Sequence, residues 1–307
     1  MKFKKPEFWS NKYSIISLLL MPLSFILILI NFFLKNKKST KFKVPVICVG
    51  NIYLGGTGKT PVAKEIYKIL KKSGKKPAFV KKYYDFVEDE INLLKRIGKV
   101  YTKRKRADSI LQLIKDKYSH AILDDGFQDS SIVKDLSIIC FHSKQWIGNG
   151  RILPSGPLRE SLKNIRNAEC ILINGSRNKE RENLLKKYNS KIKIFYYKYL
   201  LSYEKKLKEK KFIAFAGIGC PENYFELLKE NKFKIVKSFS FPDHYGYKSN
   251  DIDNLFNIAK KLKASLITTE KDYLRIKNAN KNRIMKTSIK LNFINPNSFK
   301  NYIKSNI

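Results

Sequence analysis

Cysteine and histidine are both scarce, with four cysteines and three histidines in 307 residues. Cys48, Cys140, Cys170 and Cys220 lie far apart and form no CxxC pair, which excludes a disulfide framework and a cysteine zinc site. Three of them fall in apolar, strand-like runs, where cysteine behaves as a small hydrophobe. A reducing compartment fits this usage. Acid is the other shortage, with 26 Asp and Glu against 63 Lys and Arg, a formal net charge of +37. Two readings of the excess stand: an anionic partner, either nucleic acid or a membrane surface, or compositional drift. Lys, Ile and Asn abound everywhere rather than in one patch, which favours drift for most of it, with a remainder near the N-terminus that matters. No recognition module accompanies the lysines, so no nucleic acid is expected, and no obligate protein partner is evident. There is no internal repeat. Apolar residues are not lacking: at 43% they suffice for a core, which excludes global disorder. The length admits one large or two modest domains.

What is present begins with an apolar run. Residues 1–12 are basic and aromatic, with Lys2, Lys4, Lys5, Phe8, Trp9 and Lys12. From Ser14 to Leu34 only Ser17, Pro22, Ser24 and Asn31 interrupt apolar sequence. That is about the length of a bilayer-spanning helix. Lys35, Lys37 and Lys38 follow where a signal peptide would have a small-residue cleavage site. Lysine on both flanks leaves orientation open. The symmetric lysines and Pro22 also suit a segment that dips in and stays on one face. A buried core helix is the plainer alternative.

Gly50 to Pro61 organises the rest. An apolar, β-branched run at 44–49 precedes it and a helical pattern at 61–72 follows it. Strand, glycine-rich loop, Gly58-Lys59-Thr60 and helix is the layout of a phosphate-binding P-loop. Tyr53, Leu54, Gly55, Gly56, Thr57 and Gly58 would close backbone N–H groups around phosphate oxygens, helped by the helix dipole. Lys59 would reach the β- and γ-phosphates, and the Thr60 hydroxyl would face Mg²⁺. Tyr53 stands where the strict pattern has its first glycine. A loop that binds ATP must be exposed to the cytoplasm, whatever the topology of the apolar run.

Strands and helices alternate from residue 44, as an α/β sheet requires. Strands are expected at 44–49, 77–80, 100–102, 120–124, 136–141 and 169–173, and helices at 61–72, 89–97, 107–117 and 161–167. A lysine-rich, weakly patterned stretch, 178–211, holds a short strand at 193–197. Further strands are expected at 212–216, 234–239, 265–268 and 290–293. The fold class is therefore α/β: a P-loop NTPase-like parallel sheet with helices on both faces, a second smaller α/β domain, and an N-terminal membrane-associated helix. The expected division is 1–38 anchor, 39–177 kinase core, 178–211 linker and 212–307 smaller domain.

Several polar clusters stand at strand ends. His120 to Gly126 closes an apolar strand with Asp124 and Asp125, where a P-loop enzyme needs a carboxylate for Mg²⁺ or its waters. Gly148 to Glu160 is dense in glycine and proline and delivers Arg151, Arg159 and Glu160. An arginine there would stabilise a transferring phosphoryl group, or the segment is a structural turn with a capping Glu. Asp243-His244 pairs an imidazole with a carboxylate in a loop, the best proton-handling candidate among the histidines. Thr269-Glu270-Lys271-Asp272 also sits at a strand end. Asp89, in the acidic run Val87 to Glu90, is either a helix N-terminal carboxylate or a partner of His244 in deprotonating a hydroxyl.

Together these residues resemble the tetraacyldisaccharide 4′-kinase family, the lipid A 4′-kinases, and they do so over nearly the whole chain. The matching residues run in order: Gly50-Asn51, Gly55 to Pro61, Asp89-Glu90, Asp124 to Gln128, and Gly148 to Gly150. Leu153-Pro154, Gly156 to Glu160, Ala216 to Gly219 with Pro221, Asp243-His244 and Thr269 to Asp272 complete them. The family does not keep the first P-loop glycine. The resemblance implies transfer of the ATP γ-phosphate to the 4′-hydroxyl of a membrane-embedded acylated glucosamine disaccharide 1-phosphate. It implies a place among inner-membrane lipids, on the cytoplasmic face, and two α/β domains with the site between them. It assigns Lys59 and Thr60 to ATP and Mg²⁺, Asp124 and Asp125 to the metal, and Asp89 with His244 to the general base. Arg106, Gln128, Arg159 and Glu160 match positions lining the site, with Gln128 on the nucleotide and Glu160 on the metal side. Three departures stand out. Lys81-Lys82-Tyr83-Tyr84 replaces Ser-Arg-Gly-Tyr-Gly, the segment from there to Asp89 is short, and Asp129 replaces a histidine. A partitioning-type ATPase is the nearest rival, but its loop carries lysine where this chain has Leu54.

Overall fold

The structure, a computed structural model, describes residues 5–35, 39–84, 87–203, 210–277 and 279–307. Lys2, Lys4, Lys37 and Lys38 of the basic flanks lie outside these residues. The chain divides into two compact units. The larger comprises Lys5–Tyr84, Leu94–Lys198 and Leu291–Ile307, and the smaller is built from 87–93 and 199–290 among the described residues.

The larger unit carries β1 (Val46–Gly50), β2 (Pro77–Lys82), β3 (Val100–Lys103), β4 (His120–Asp124), β5 (Leu136–His142), β6 (Cys170–Asn174) and β7 (Lys193–Ser202). They lie in the order β3-β2-β4-β1-β5-β6-β7, every neighbouring pair parallel. β1, β4, β5 and β6 are buried along their whole length, as strands covered on both faces must be. After β1 the chain goes to one side of the sheet for β2 to β4, then to the other for β5 to β7. That reversal beside β1 is where open α/β sheets bind ligands, outside the carboxyl ends of the strands. Val49 pairs with Asp124 in register, so the end of β4 lies level with the loop that follows β1.

Helices α1 (Ile15–Leu19) and α2 (Met21–Lys35) precede the sheet. Among the described residues no helix is long and apolar enough to cross a membrane. The apolar run breaks at Leu20, because Pro22 has no N–H and is tolerated only in a first turn, here that of α2. α3 (Lys59–Lys72) buries Val62, Ala63, Ile66, Tyr67, Ile69 and Leu70 on one face and ends in Lys71 and Lys72, which suit the negative end of its dipole. α4 (Glu88–Lys95) and α5 (Arg106–Lys115) start within two residues of their expected positions. The segment expected as a helix at 161–167 is instead a 3-10 turn, Leu162–Asn167, started by the Ser161 hydroxyl on Lys163 N. Within the stretch expected to be weakly patterned, Asn178 caps α6 (Lys179–Tyr188) and β7 runs five residues past the expected strand, while residues 204–209 lie outside the described residues.

The smaller unit has β8 (Lys211–Ala216), β9 (Lys234–Ser240), β10 (Ser265–Thr269) and β11 (Met285–Phe293), parallel in the order β9-β8-β10-β11. β8 alternates across two cores. Phe212, Ala214 and Ala216 pack with Tyr224, Phe225 and Leu228 of α7 (Pro221–Glu230). Ile213 and Phe215 pack with Ile252 and Leu255 of α8 (Ser249–Lys261). A short α9 (Glu270–Arg275) follows β10 directly. The C-terminal α10 (Pro296–Ser305) belongs to the larger unit, where the Phe299 ring stacks on Phe293 and meets Phe195 edge-on.

Candidate functional site

The phosphate loop stands between β1 and α3. Gly58 is the N-cap of α3 with φ +90, a conformation that favours glycine, and so the chain turns there at no steric cost. The Asn51 side-chain amide donates to the carbonyls of Tyr53 (2.5 Å) and Gly55 (3.2 Å), bracing the loop from inside. Tyr53 is buried and forms an antiparallel bridge with Leu158. Leu54 N donates to Pro157 O at 2.8 Å, and Arg159 N donates to Ile52 O at 2.7 Å. The first half of the loop is thus an extended strand partner, which is why a tyrosine replaces the usual glycine. Gly50 passes so close to Phe127 that any Cβ would overlap the Phe127 Cβ.

The loop's polar partners come from β4 and the segments beside it. The Thr60 hydroxyl donates to Asp124 Oδ2 at 3.1 Å, and Lys81 Nζ, at the end of β2, reaches the same oxygen at 2.7 Å. Asp124 is fully buried, and its Oδ1 has no hydrogen-bond partner, nor has the buried Thr57 hydroxyl. Asp125 sits at φ +61, its carbonyl accepting from Arg106 Nη2 at 2.6 Å. Its carboxylate faces Arg159 Nη1 at 3.1 and 3.3 Å and Lys59 Nζ at 3.7 Å. Arg106 also pairs with Asp129 at 3.0 Å, the residue that departs from the family pattern; against the upward pull of burial, the Ser131 hydroxyl and then Arg106 hold Asp129 below the usual carboxylate range. Gln128 Nε2 donates to Asn51 O at 2.7 Å, behind the loop.

Glu160 accepts from Asn164 Nδ2 at 2.6 Å, because the 3-10 turn places that amide one turn on. Among the described residues no three His, Cys, Asp or Glu gather into a cage for a metal ion. Thr60, Asp124 and Asp125 nonetheless supply hard oxygen donors, and Asp124 Oδ1 is a buried acceptor still to be satisfied. This set fits Mg²⁺, which is usually bound by one or two carboxylates together with substrate phosphates.

The smaller unit holds a second cluster, built at the carboxyl ends of β8, β9 and β10. Asp89, in the first turn of α4, is buried and meets His244 Nδ1 at 3.3 Å. Arg275 grips its other oxygen with Nε at 2.9 Å and Nη2 at 2.5 Å. Burial alone would raise the Asp89 pKa. The hydrogen bond from His244 and the charges of Lys271 and Arg275 outweigh it and hold this carboxyl well below the usual range. Lys271 Nζ touches Glu90 Oε1 at 2.9 Å and His244 Nε2 at 3.4 Å. Glu90, Asp243 and Asp89 raise the Lys271 pKa against the opposing effect of burial. His244 itself sits at φ +58, in the left-handed region that residues other than glycine rarely adopt.

Behind this cluster Asp272 is wholly buried. It accepts from Gly217 N (2.9 Å), the Tyr247 hydroxyl (3.0 Å), the Thr269 hydroxyl (2.6 Å) and Arg275 Nη1 (3.0 Å). Arg275 is therefore fixed on both sides. Sequence reading offered the pairing of Asp89 with His244 as one of two alternatives, which the family resemblance then favoured, and it missed Arg275 and Lys81. Arg275 lies one turn beyond Asp272 on α9, a spacing with no motif to flag it. Lys81 was visible only as a departure at a strand end.

The segment that carries Arg159 also binds the N-terminal helices. Ser17 and Ser24, two of the polar interruptions of the apolar run, are buried at 0% and 6% exposure. Ser17 Oγ donates to Ser155 O (2.5 Å) and accepts from Asn149 Nδ2 (2.9 Å) and Arg151 Nη1 (2.7 Å). Ser24 Oγ donates to Ile152 O at 2.9 Å, and Trp9 Nε1 to Pro154 O at 3.0 Å. Ile15, Leu19 and Phe25 are 72%, 74% and 61% exposed, so these helices turn polar groups inward and apolar ones outward.

Known proteins resemble this chain over most of its length. Tetraacyldisaccharide 4′-kinase of Pelagibacter ubique is 44% identical over 291 residues, covering 92% of each chain. The enzyme of the same name from Rickettsia felis is 34% identical over 96% of this chain and 95% of its own. The crystal structure of LpxK from Aquifex aeolicus in complex with ATP superposes with a TM-score of 0.71 at 25% identity, covering 95% of this chain and 99% of that one. Residues 16–307 match the family described as LpxK, tetraacyldisaccharide-1-P 4′-kinase, and on that match the chain belongs to this family.

Proposed function

We propose that the chain transfers the γ-phosphate of ATP to the 4′-hydroxyl of an acylated glucosamine disaccharide 1-phosphate. Family membership and the phosphate loop support the donor half of this reading. The observation that carries the acceptor half is the Asp89–His244 pair, a carboxylate and imidazole suited to take the proton of an attacking hydroxyl. In the transfer, the sugar O–H bond breaks and an O–P bond forms at the γ-phosphorus. The bond from that phosphorus to the β–γ bridging oxygen breaks, and ADP leaves.

Asp89, kept anionic by Arg275 and Lys271, is a weak proton acceptor. The pair is better read with Asp89 accepting from His244 Nδ1–H, so that Nε2 takes the hydroxyl proton once Lys271, now 3.4 Å from it, yields that position to the acceptor. Lys59 and Arg159 would stabilise charge on the transferring group, and Gly55 to Thr60 would bind the nucleotide. Thr60, Asp124 and Asp125 would hold Mg²⁺, which when bound neutralises charge on the phosphate oxygens.

Residues 1–38 are proposed as a membrane anchor that lies in one leaflet rather than spanning it. The exposed apolar face of α1 and α2 supports this, because soluble surfaces rarely carry such a contiguous patch. The lipid acceptor and ATP would then meet on the cytoplasmic face of the inner membrane. The test is purified protein with ATP, Mg²⁺ and the acylated disaccharide 1-phosphate in detergent. A second lipid phosphate is expected. ATP hydrolysis without a phosphorylated lipid would reject the kinase reading.

A further inference from the structure

Lys81 is buried at the carboxyl end of β2, its side chain 5% exposed, and its ammonium lies 2.7 Å from Asp124 Oδ2. Thr60 donates to that same oxygen at 3.1 Å. One carboxylate oxygen thus joins the end of β2 to the first turn of α3, while Oδ1 keeps no hydrogen-bond partner. Asp125, next in sequence, already faces Arg159 and Lys59. Around these two carboxylates stand three fixed cations, Lys59, Lys81 and Arg159. A free divalent ion approaching Asp124 would meet that excess of positive charge and would have to compete with an ammonium that is already buried and paired. A metal that comes already bound to a triphosphate meets no such barrier, because the phosphate charge is complementary to the same three cations.

We propose that Lys81 is a positioning residue that holds Asp124 in line with Thr60 and keeps free divalent metal out, so that metal enters only with the nucleotide. The inference rests on reading Thr60, Asp124 and Asp125 as the metal end of the site. It assigns the departure from the family pattern at Lys81 to Tyr84 a definite effect, an order of binding. Lys81→Met should remove that barrier and leave Asp124 as an uncompensated buried carboxylate. Lys81→Arg keeps the charge and should keep the barrier.

The probe is Mn²⁺, titrated by electron paramagnetic resonance against the full-length protein, with and without ATP, no lipid acceptor being present. The wild-type chain should bind Mn²⁺ at least about tenfold more tightly with ATP than Mn²⁺ and ATP bind each other alone, and show little binding of free Mn²⁺. Lys81→Met should bind free Mn²⁺ at least about tenfold more tightly than wild type, and Lys81→Arg should not. Adding Asp124→Asn to Lys81→Met should abolish the gain. Free Mn²⁺ binding to wild type as tightly as to Lys81→Met, or a gain that survives Asp124→Asn, overturns the role of Lys81 and leaves the site reading intact. No Mn²⁺ bound even with ATP overturns the site reading itself. Circular dichroism checks the fold of each variant. If Lys81→Met does not fold, tight binding of free Mn²⁺ by wild type alone still rejects the proposal.

Discussion

Arg275 holds Asp89 by two nitrogens on one oxygen while a third nitrogen bonds Gly217 O at 2.6 Å. Both side chains are nearly buried, at 8% and 5% exposure. The arginine is thus a bracket between the backbone after β8 and the carboxylate that bears on His244. A lysine cannot reproduce that fork. Arg275→Lys should lower turnover by about tenfold or more, a fraction of a typical general-base contribution, with the KM for ATP unchanged. Steady-state kinetics on the lipid acceptor check this. An unchanged turnover would make the bracket purely structural.

Asp89 and His244 should act as one unit. His244→Gln and Asp89→Ala are each expected to cost about 10²- to 10⁴-fold in turnover, and the double variant little more than the worse single one. Binding of ATP, measured by calorimetry, should survive in all three. Multiplying losses in the double variant would mean two separate roles.

The depressed pKa of Asp89 has a pH consequence with a definite sign. Its carboxylate is more acidic in the native state than in the unfolded chain. Its stabilising effect is therefore complete above the unfolded value of about 3.9 and is lost as pH falls towards the lower native one. Thermal melts should show Asp89→Asn less stable than wild type, by about 3 kcal/mol, because Arg275 and Lys271 lose the carboxylate they share and only Arg275 keeps Asp272. The gap should stay level from about pH 5 to 8 and narrow below about pH 4. A gap that narrows near neutral pH would contradict this assignment.

Membrane docking should depend on the outward apolar residues and not on the inward serines. Leu19→Asp with Phe25→Asp is expected to release the protein from anionic vesicles in a flotation assay, leaving ATP binding intact. Ser17→Val should act differently: it strips the bonds to Asn149, Arg151 and Ser155 and lowers thermal stability by about 1–3 kcal/mol. Vesicle binding unaffected by the double substitution would remove α1 and α2 from that role.

Much of the larger unit was legible because its strands announce themselves. β1, β4, β5 and β6 are predominantly apolar runs, and the loop after β1 has the strand–loop–helix setting that gives its glycine spacing meaning. Asp124 was placed correctly at the end of β4 for the same reason. Three things were not legible. The break at Leu20 depends on where Pro22 falls in a helical turn, which an apolar count does not register. Helices α7 to α10 lie among lysines that blur the apolar period, although Pro221 at the start of α7 was a usable signal. The cluster around Asp89 gathers residues far apart in sequence, the Arg275 contact spanning 186 positions, and no local pattern encodes that.

The bridge between Tyr53 and Leu158 has a further consequence. With Leu54 N on Pro157 O and Arg159 N on Ile52 O, the phosphate loop and the arginine-bearing segment share their backbone bonds. Neither can fray alone. They form one cooperative opening unit, so the amides of Leu54 and Arg159 should exchange with solvent at a common free energy. A nucleotide that clamps the loop stiffens the backbone of the arginine segment at the same moment. The polar clasp on Ser17 and Ser24 hangs from that same segment, so the stiffening also extends to the anchor helices.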